Sequence, residues 1–365
     1  MESLGEERCW AEIDLAGVRH NARVARERAG DGKELLAVVK ANGYGHGMIE
    51  IARALREEAD LFGVANLHEA RTLRESGATQ PILLLGPALP EERAAINAQG
   101  FIPSVSTVEE AEAFAANRSG INVVIDTGMG RMGCWQDDAL AALEKIVRIQ
   151  GLMLHSVSTH LPVADEDAAF TRGQLAQFDE LVRQIRPVVP AFTKVHVLLS
   201  AGILGFSPQN FEIVRAGLML YGSSPLPEAQ QFLQPVLELK THIALLRDIP
   251  ANRGISYGRT FVTPRPMRVA TISAGYADGY PRSLSGREAA VLIGGKRCAV
   301  LGRITMDLTM VDVSAVPAAR VGDEVVLIGR QGEEEILAAE VAERAGTIAW
   351  EIFTGIGSRV RRVYL

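Results

Sequence analysis

The sequence predicts an α/β protein in which a (β/α)8 barrel of the TIM type is followed by a mostly β C-terminal domain. Eight short apolar runs, rich in Val, Ile and Leu, alternate with amphipathic segments. Such runs are typical of parallel strands buried on both faces, and eight strand-helix units are the number that closes a barrel. After Pro235 this alternation stops, and strand-like runs separated by Gly, Pro and Asp turns replace it.

The predicted barrel strands are short and continuous. They lie at residues 35–40, 61–66, 81–86, 101–106, 122–127, 152–158, 195–200 and 213–220. Between them, apolar residues recur at helical spacing, for example over residues 137–150 and 170–185. Ser106 followed by Glu109 resembles a capping box that begins the next helix. A doubly wound open sheet fits several units, but the count favours the barrel.

We assign the barrel to residues 12–230 and the mostly β domain to residues 231–365. The strand-like runs of the second domain lie at residues 236–249, 268–273, 289–294, 310–313 and 324–328, with one helical segment at 335–345. Residues 1–11 are a candidate addition to this second domain, because a strand-like stretch at residues 10–14 precedes the barrel.

Composition indicates a globular protein of the cytoplasm. The 365 residues suggest two domains at about 150 residues each. Three scattered cysteines without metal-ligand spacing are typical of reduced thiols, and no metal site is expected. The net charge of -6 argues against a general affinity for nucleic acid. No signal peptide and no apolar run of about 20 residues is visible, so no membrane segment is expected.

The first candidate for chemistry is Lys40, which closes the first predicted strand. The amine of a lysine is costly to desolvate at the end of a buried strand, and burial lowers its pKa, as a lysine that forms a Schiff base requires. The glycines at 43, 45 and 47 allow the next loop to approach an anion, to which Tyr44 would offer its hydroxyl. The strand end alone leaves open a lysine that only reaches solvent at the barrel rim.

The stretch AVVKANGYGHG at residues 37–47 resembles the cofactor-lysine signature of the alanine racemase family. The resemblance continues, in the family's order, through IDTGMGRMG at 125–133, THLPVADED at 159–167, VRAGLMLYG at 214–222, ISYGRTF at 255–261, GYADGYPR at 275–282 and GRITMD at 302–307. It implies an enzyme that uses pyridoxal 5'-phosphate to invert a small amino acid. The lysine signature alone is shared with other pyridoxal phosphate barrels, and the paired SYG and TMD segments favour the racemase.

The resemblance implies a two-base mechanism. Lys40 would hold the cofactor and act as one base, and Tyr257 would act as the other from the opposite face, supplied by the partner subunit of a homodimer. A free tyrosine has a pKa of about 10, so a cationic network should lower it. The family places His160 in that network, linked onward to Arg215.

Arg215 would face the pyridine nitrogen of the cofactor. An arginine does not give up its proton, so it would keep that nitrogen unprotonated. An unprotonated ring is a weaker electron sink, which should suppress transamination and elimination.

The remaining implied roles concern anions and access to the site. The phosphate would be bound by Tyr44, Ser200 and the amides of Gly217 and Leu218, late in the barrel, where barrel enzymes commonly bind phosphate. Arg131 and the partner's Met306 amide would contact the substrate carboxylate, and Arg131 the phenolic oxygen of the cofactor. The positions that match the family's entrance are Asp165, Tyr276, Arg282 and Arg303.

The sequence departs from the family at several positions. Val124 stands where many members have a carboxylated lysine that pairs with the arginine at 131, so Asn122, on the same strand face, is a candidate partner for Arg131. Leu199 replaces an asparagine, Ser358 a tyrosine and Thr305 a cysteine of some members.

These expectations lead to racemisation of alanine, with D-alanine supplied for peptidoglycan. A racemase for serine, lysine or several amino acids would use the same bases. A non-catalytic pyridoxal phosphate carrier would need Lys40 but not Tyr257. A decarboxylase would be expected to have an acidic partner for the pyridine nitrogen in place of Arg215.

Overall fold

The computed structural model describes residues 7–207 and 211–365. The described chain forms two compact units, one made of residues 7–16, 44–47 and 235–365 and the other of residues 17–43 and 48–234 without 208–210. The boundaries inferred from sequence are 12–230 for the barrel and 231–365, with 1–11, for the second domain. They stay a prediction, because they are the boundaries of domains that would fold separately. Of the segment 1–11, residues 1–6 lie outside the described residues.

Strand β1 (Cys9–Ile13) precedes the strands of the barrel. These are β2 (Glu34–Val38), β3 (Leu61–Val64), β4 (Ile82–Pro87), β5 (Ile102–Val105), β6 (Ile121–Asp126), β8 (Leu154–Ser158), β9 (Lys194–His196) and β10 (Ile213–Ala216), with the two-residue β7 (Cys134–Trp135) beside β6. Each of the eight barrel strands pairs in parallel with the strand on either side of it. Because β10 pairs with β2 and β5 pairs with β6, the sheet closes without an edge strand.

The helices around the barrel bury their apolar faces; the first of them precedes β2, and each of the others follows a barrel strand. They span Leu15–Ala29, Met48–Ala54, Leu67–Glu75, Arg93–Gln99, Val108–Glu112, Ala139–Ile146, Ala168–Ile185 and Ser200–Gly205. The capping box predicted at Ser106 and Glu109 is wrong by one residue. Thr107 caps the helix by accepting a hydrogen bond from Glu110 N at 3.1 Å, which leaves the Ser106 hydroxyl to accept one from Gly133 N at 2.9 Å.

A left-handed turn over Lys40–Tyr44 follows β2. The φ angles of Ala41, Asn42, Gly43 and Tyr44 are 52°, 53°, 61° and 50°. The left-handed region costs an L-residue about 1–2 kcal/mol, and only one of these four residues is a glycine. The turn therefore needs support from the surrounding structure, and its left-handed residues begin directly after Lys40.

The second unit is mostly β. Its strands are β11 (Leu237–Ile249), β12 (Gly254–Ile255), β13 (Phe261–Val262), β14 (Met267–Ile272), β15 (Ala290–Ile293), β16 (Lys296–Ala299), β17 (Thr309–Asp312), β18 (Glu324–Gln331), β19 (Glu334–Ile336) and β20 (Arg361–Tyr364). β11 is the centre of the sheet: it pairs with β1 and β18, and beyond an irregularity near Ile243 it pairs with β14. β1 also pairs in parallel with β20. The predicted fold class is confirmed.

The single helix predicted at 335–345 is only partly right. β19 occupies its first residues, the helix spans Ala338–Ala345, and a second helix at Ala349–Thr354 was not predicted. Glu334–Ile336 forms a strand because it pairs with the end of β18, which is a tertiary contact that local spacing does not show. Within the described ranges, no helix is both long and apolar enough to cross a membrane.

Candidate active site

Lys40 lies at the carboxyl end of the barrel, just beyond β2. The backbone of Val39 still belongs to the sheet, since its amide donates to Gly63 O at 2.9 Å. Lys40 is partly buried, and burial lowers the pKa of its amine, helped by the positive charge of Arg131 and opposed by Glu69. The amine is thus easier to deprotonate than a surface lysine, as a nucleophilic lysine needs.

Arg215, on β10, is buried inside the barrel and held by three hydrogen bonds. Nη1 donates to His196 Nδ1 at 2.9 Å, and Nη2 donates to Thr159 O at 2.6 Å and Val197 O at 2.9 Å. Burial lowers the pKa of Arg215 to about 10, so the side chain keeps its charge near neutrality. No carboxylate appears among these partners, and the guanidinium is fixed by a neutral ring and two carbonyls.

His196 is a site residue that sequence reasoning missed. An arginine only donates hydrogen bonds, so His196 Nδ1 must accept, and the proton of the ring lies on Nε2. Nε2 is 3.1 Å from Asn122 Oδ1 and 3.3 Å from Ser156 Oγ. Burial, then the charges of Arg215 and His155, hold the pKa of His196 well below its usual range. The signal in the sequence was a histidine in the otherwise apolar run 195–199, which overlaps the end of β9 (Lys194–His196).

The proposed pairing of Asn122 with Arg131 is wrong. Asn122 is buried, its Nδ2 donates to Ser104 Oγ at 3.0 Å, and its Oδ1 accepts from Ser156 Oγ at 3.0 Å as well as facing His196. The amide is therefore used within the barrel, because the interior of the barrel holds other polar groups that need partners.

Arg131 lies on an exposed loop wrapped around Asp126. The Asp126 carboxylate accepts hydrogen bonds from Gly128 N at 2.9 Å, Met129 N at 2.8 Å and Arg131 N at 3.2 Å. Burial raises the pKa of Asp126, but these backbone donors outweigh it and hold the pKa below its usual value. The loop places the Arg131 charge close enough to lower the pKa values of Lys40 and His160.

His160 follows β8 and is partly buried. Burial, with the positive charges of Arg215, Arg131 and Lys40, lowers its pKa to about 3. Among the described residues no hydrogen bond joins His160 to Arg215, so the expected link between them is electrostatic in this structure. Four predicted site residues thus surround one region at the barrel end, and three of them are cations that an anionic cofactor or substrate would balance.

A second group of predicted residues lies where two short helices begin. Ser200 begins the helix Ser200–Gly205, and its Oγ accepts from Gly217 N at 3.0 Å and Met219 N at 3.2 Å. Leu218 begins a 3-10 helix that ends at Tyr221. Here the Gly217 amide is engaged by Ser200, and its role towards phosphate stays a prediction. A buried hydroxyl beside the starts of two helices is an arrangement that suits an anion such as phosphate.

Two predicted residues lie outside these groups. Tyr44 is buried, and burial raises the pKa of its phenol to about 12, so it stays a neutral donor. Asp165 is exposed in the loop before the helix Ala168–Ile185.

Tyr257 lies in the other compact unit, between β12 and β13, with 69% of its side chain exposed. The preceding Ser256 has φ 60° and ψ -173°, a region occupied almost only by glycine. Ser256 Oγ donates to Arg303 O at 2.5 Å, which holds this strained peptide in place. Strain of this kind persists where the surroundings fix it and is common at functional sites.

Met306 and Tyr276 lie on adjoining loops of the same unit. Tyr276 N donates to Thr305 O at 3.1 Å and Ala277 N to Met306 O at 3.0 Å. Both side chains are exposed, at 53% for Met306 and 41% for Tyr276. Arg282 is exposed at the start of a 3-10 helix, and Arg303 packs against Gly258, where an added Cβ would lie 3.0 Å from its guanidinium carbon.

The neutral histidines of the barrel predict an acid-sensitive fold. Burial is the main cause that lowers the pKa of His155 to about 4 and His160 to about 3, and it also lowers that of His196. An unfolded histidine titrates near pH 6.5, so the unfolded chain binds more protons below that pH and each histidine then costs stability. We expect the free energy of unfolding in urea to fall by up to about 1.4 kcal/mol per pH unit per histidine below about pH 6, less for the partly exposed ones.

The check is a series of urea unfolding curves between about pH 7 and pH 5. His155→Gln should flatten the pH dependence, whereas His68→Gln, at an exposed position, should leave it unchanged. A free energy of unfolding that stays constant over this interval would show that these rings take up protons in the folded chain.

Comparison with known proteins gives a consistent result along the whole chain. Residues 13–225 match the family described as alanine racemase, N-terminal domain, and residues 236–364 the family described as alanine racemase, C-terminal domain. An alanine racemase of Methylacidiphilum infernorum is 40% identical over 98% of this chain and 92% of its own length. One of Symbiobacterium thermophilum is 41% identical over 100% of this chain and 99% of its own length.

Solved structures agree with the sequence relatives. Alanine racemase from the D-cycloserine producer Streptomyces lavendulae superposes with a TM-score of 0.90 at 39% identity, over 98% of this chain and 97% of that one. Alanine racemase from Bartonella henselae, solved with covalently bound pyridoxal phosphate, superposes with a TM-score of 0.88 at 30% identity, over 98% and 99%. The resemblance inferred from the motifs is confirmed: the chain belongs to the alanine racemase family of isomerases.

Proposed function

We propose that this enzyme interconverts L-alanine and D-alanine with pyridoxal 5'-phosphate, using Lys40 and the partner's Tyr257 as two bases on opposite faces of the substrate. The observation that carries the proposal is the barrel end, where a partly buried amine of lowered pKa lies among cations. Within the part of the chain that the structure describes, no carboxylate pairs with Arg215. The anionic cofactor and the substrate carboxylate would supply the missing negative charge. When bound, pyridoxal phosphate supplies the electron sink that makes the α-proton of the amino acid acidic.

The protein's part is to place donors and bases. Lys40 would hold the cofactor and exchange a proton with the α-carbon on one face, while the phenol of the partner's Tyr257 does so on the other, since inversion needs a base on each side. Arg215 would donate to the pyridine nitrogen and, as a group that keeps its proton, leave that nitrogen unprotonated. Arg131 would contribute positive potential that favours the phenolate of Tyr257 and the substrate carboxylate, and the neutral ring of His160 would link Tyr257 onward to Arg215 by hydrogen bonds.

Binding and access complete the proposed site. Tyr44, Ser200 and the amides of Gly217 and Leu218 would bind the phosphate, and Arg131 with the partner's Met306 amide would bind the substrate carboxylate. The residues proposed for the entrance are Asp165, Tyr276, Arg282 and Arg303. We further propose a cytoplasmic homodimer with shared sites that supplies D-alanine for peptidoglycan.

Hybrid dimers test the sharing of sites. Lys40→Ala and Tyr257→Phe chains should each be inactive alone, but after mixing, half of the dimers carry one site with both bases intact. We expect about a quarter of wild-type activity to return if subunits mix at random in a two-fold dimer. The readout is the optical rotation of L-alanine, with exchange of differently tagged subunits confirmed first. No recovery in exchanged dimers would mean that both bases come from one chain.

A further inference from the structure

One carboxylate supports the start of the left-handed turn that follows the barrel strand of Lys40. Glu69 belongs to the helix Leu67–Glu75. Its Oε1 accepts from Ala41 N at 2.7 Å and its Oε2 accepts from Ala65 N at 2.7 Å. Ala41 is the residue after Lys40, and Ala65 the residue after β3, so one side chain joins the backbones that leave two neighbouring strands.

The other supports of the turn lie further along it. Gly43 N donates to Val39 O at 2.8 Å, and Asn42 Oδ1 accepts from Met48 N at 3.0 Å. The first left-handed residue, Ala41, is exposed, and its amide is held by Glu69. Both contacts of Glu69 need an acceptor, because each partner is a backbone N–H. A glutamine could accept from only one of them and would turn an amide N–H towards the other.

Glu69 is also an anion whose charge acts on Lys40. The charged and titratable groups that act on Lys40 or feel its charge are Arg131, His160 and Glu69. Burial and Arg131 lower the pKa of the amine, and Glu69 raises it. The backbone of Glu69 is fixed at the helix start, since its amide donates to the helix cap Asn66 Oδ1 at 3.0 Å.

We propose that Glu69 is a positioning residue for Lys40, which bridges the amides of Ala41 and Ala65 to aim the amine and supplies the negative charge beside it. This inference rests on the proposed function, in which Lys40 holds pyridoxal phosphate. The carboxylate acts through the backbone of the turn and through its charge, and it is given no contact with substrate. Two effects of Glu69 can therefore be separated. Bridging the amides of Ala41 and Ala65 needs both carboxylate oxygens at the right reach, whereas the effect of its charge on Lys40 needs only that a carboxylate is present.

The test measures how the cofactor-free, full-length chain captures pyridoxal phosphate. Absorbance gives the second-order rate constant across a range of pH, and borohydride fixation followed by mass spectrometry confirms attachment at Lys40. The plateau of the rate at high pH reports how well the amine is aimed, and the pH midpoint reports its protonation. Glu69→Gln removes the charge and one acceptor, while Glu69→Asp keeps the charge on a side chain too short to bridge both amides. Glu75→Gln, an exposed position of the same helix, is the matched control.

We expect Glu69→Gln to lower the plateau rate more than threefold relative to Glu75→Gln and to move the midpoint to lower pH. Glu69→Asp should lower the plateau and leave the midpoint near that of the wild type. A plateau within threefold of the control, or an unmoved midpoint in Glu69→Gln, overturns the inference. If Glu69→Gln does not fold, the plateau of Glu69→Asp decides. Failure of the wild-type chain to capture pyridoxal phosphate would overturn the proposed function instead.

Discussion

Lys40→Ala is expected to abolish racemisation, with a loss of more than about 10³-fold, and to remove the covalently attached cofactor. The reason is that one amine is proposed to serve twice, as the attachment point and as one base, and a positioned base alone contributes about 10²–10⁴-fold. The lowered pKa of this partly buried amine suits both tasks. Activity is followed by optical rotation with L-alanine, and attachment by the visible absorbance of the bound cofactor.

The control for this prediction is a lysine that the same reasoning leaves without a role. Lys145 is exposed at the end of the helix Ala139–Ile146, so Lys145→Ala should match the wild type in both measurements. A Lys40→Ala enzyme that kept its visible absorbance would mean that another lysine holds the cofactor and that the assignment is wrong.

Tyr257→Phe is expected to lose racemisation by about 10²–10⁴-fold while it keeps the bound cofactor, because only the proton-carrying hydroxyl is removed. The two-base mechanism also predicts a difference between the two enantiomers of alanine. With Lys40 intact, one face of the substrate can still exchange its α-proton, so solvent deuterium should enter the α-carbon of one enantiomer far faster than that of the other. Proton NMR of each enantiomer in D₂O measures this asymmetry.

The control removes the hydroxyl of another tyrosine of the same compact unit, a residue that is 36% exposed. Tyr364→Phe should racemise alanine at the wild-type rate. Equal loss of exchange for both enantiomers in Tyr257→Phe, or loss of the cofactor, would indicate that Tyr257 has a structural role in the strained peptide after Ser256.

The barrel could be predicted from sequence because its physical signal is local and repeated. Each of its eight strands is buried on both faces, so each appears as a short apolar run, and the structure has a strand within or overlapping every predicted run. The second unit was harder. Its short strands β12, β13, β16, β19 and β20 were not predicted, because each depends on a partner strand distant in sequence or on a short hairpin.

The site residues also divide into those that local sequence indicates and those that it does not. Lys40 could be singled out from its sequence context, since a charged side chain at the end of a buried strand is costly to desolvate. Tyr257 could be found only through the family resemblance, because it lies on an exposed loop with no periodic pattern around it. His196 and Glu69 were missed because their importance lies in hydrogen bonds to residues far along the chain or to backbone amides, which side-chain spacing does not reveal.

The central claim, α-proton exchange with inversion at alanine, is tested most directly by one incubation. The purified chain is supplied with pyridoxal phosphate and L-alanine in D₂O, and optical rotation and α-deuterium are followed together by polarimetry and NMR. We predict that rotation decays to zero while deuterium fills the α-position of both enantiomers. A bound cofactor with no exchange into alanine, serine or lysine would contradict the account and favour a protein that only carries pyridoxal phosphate.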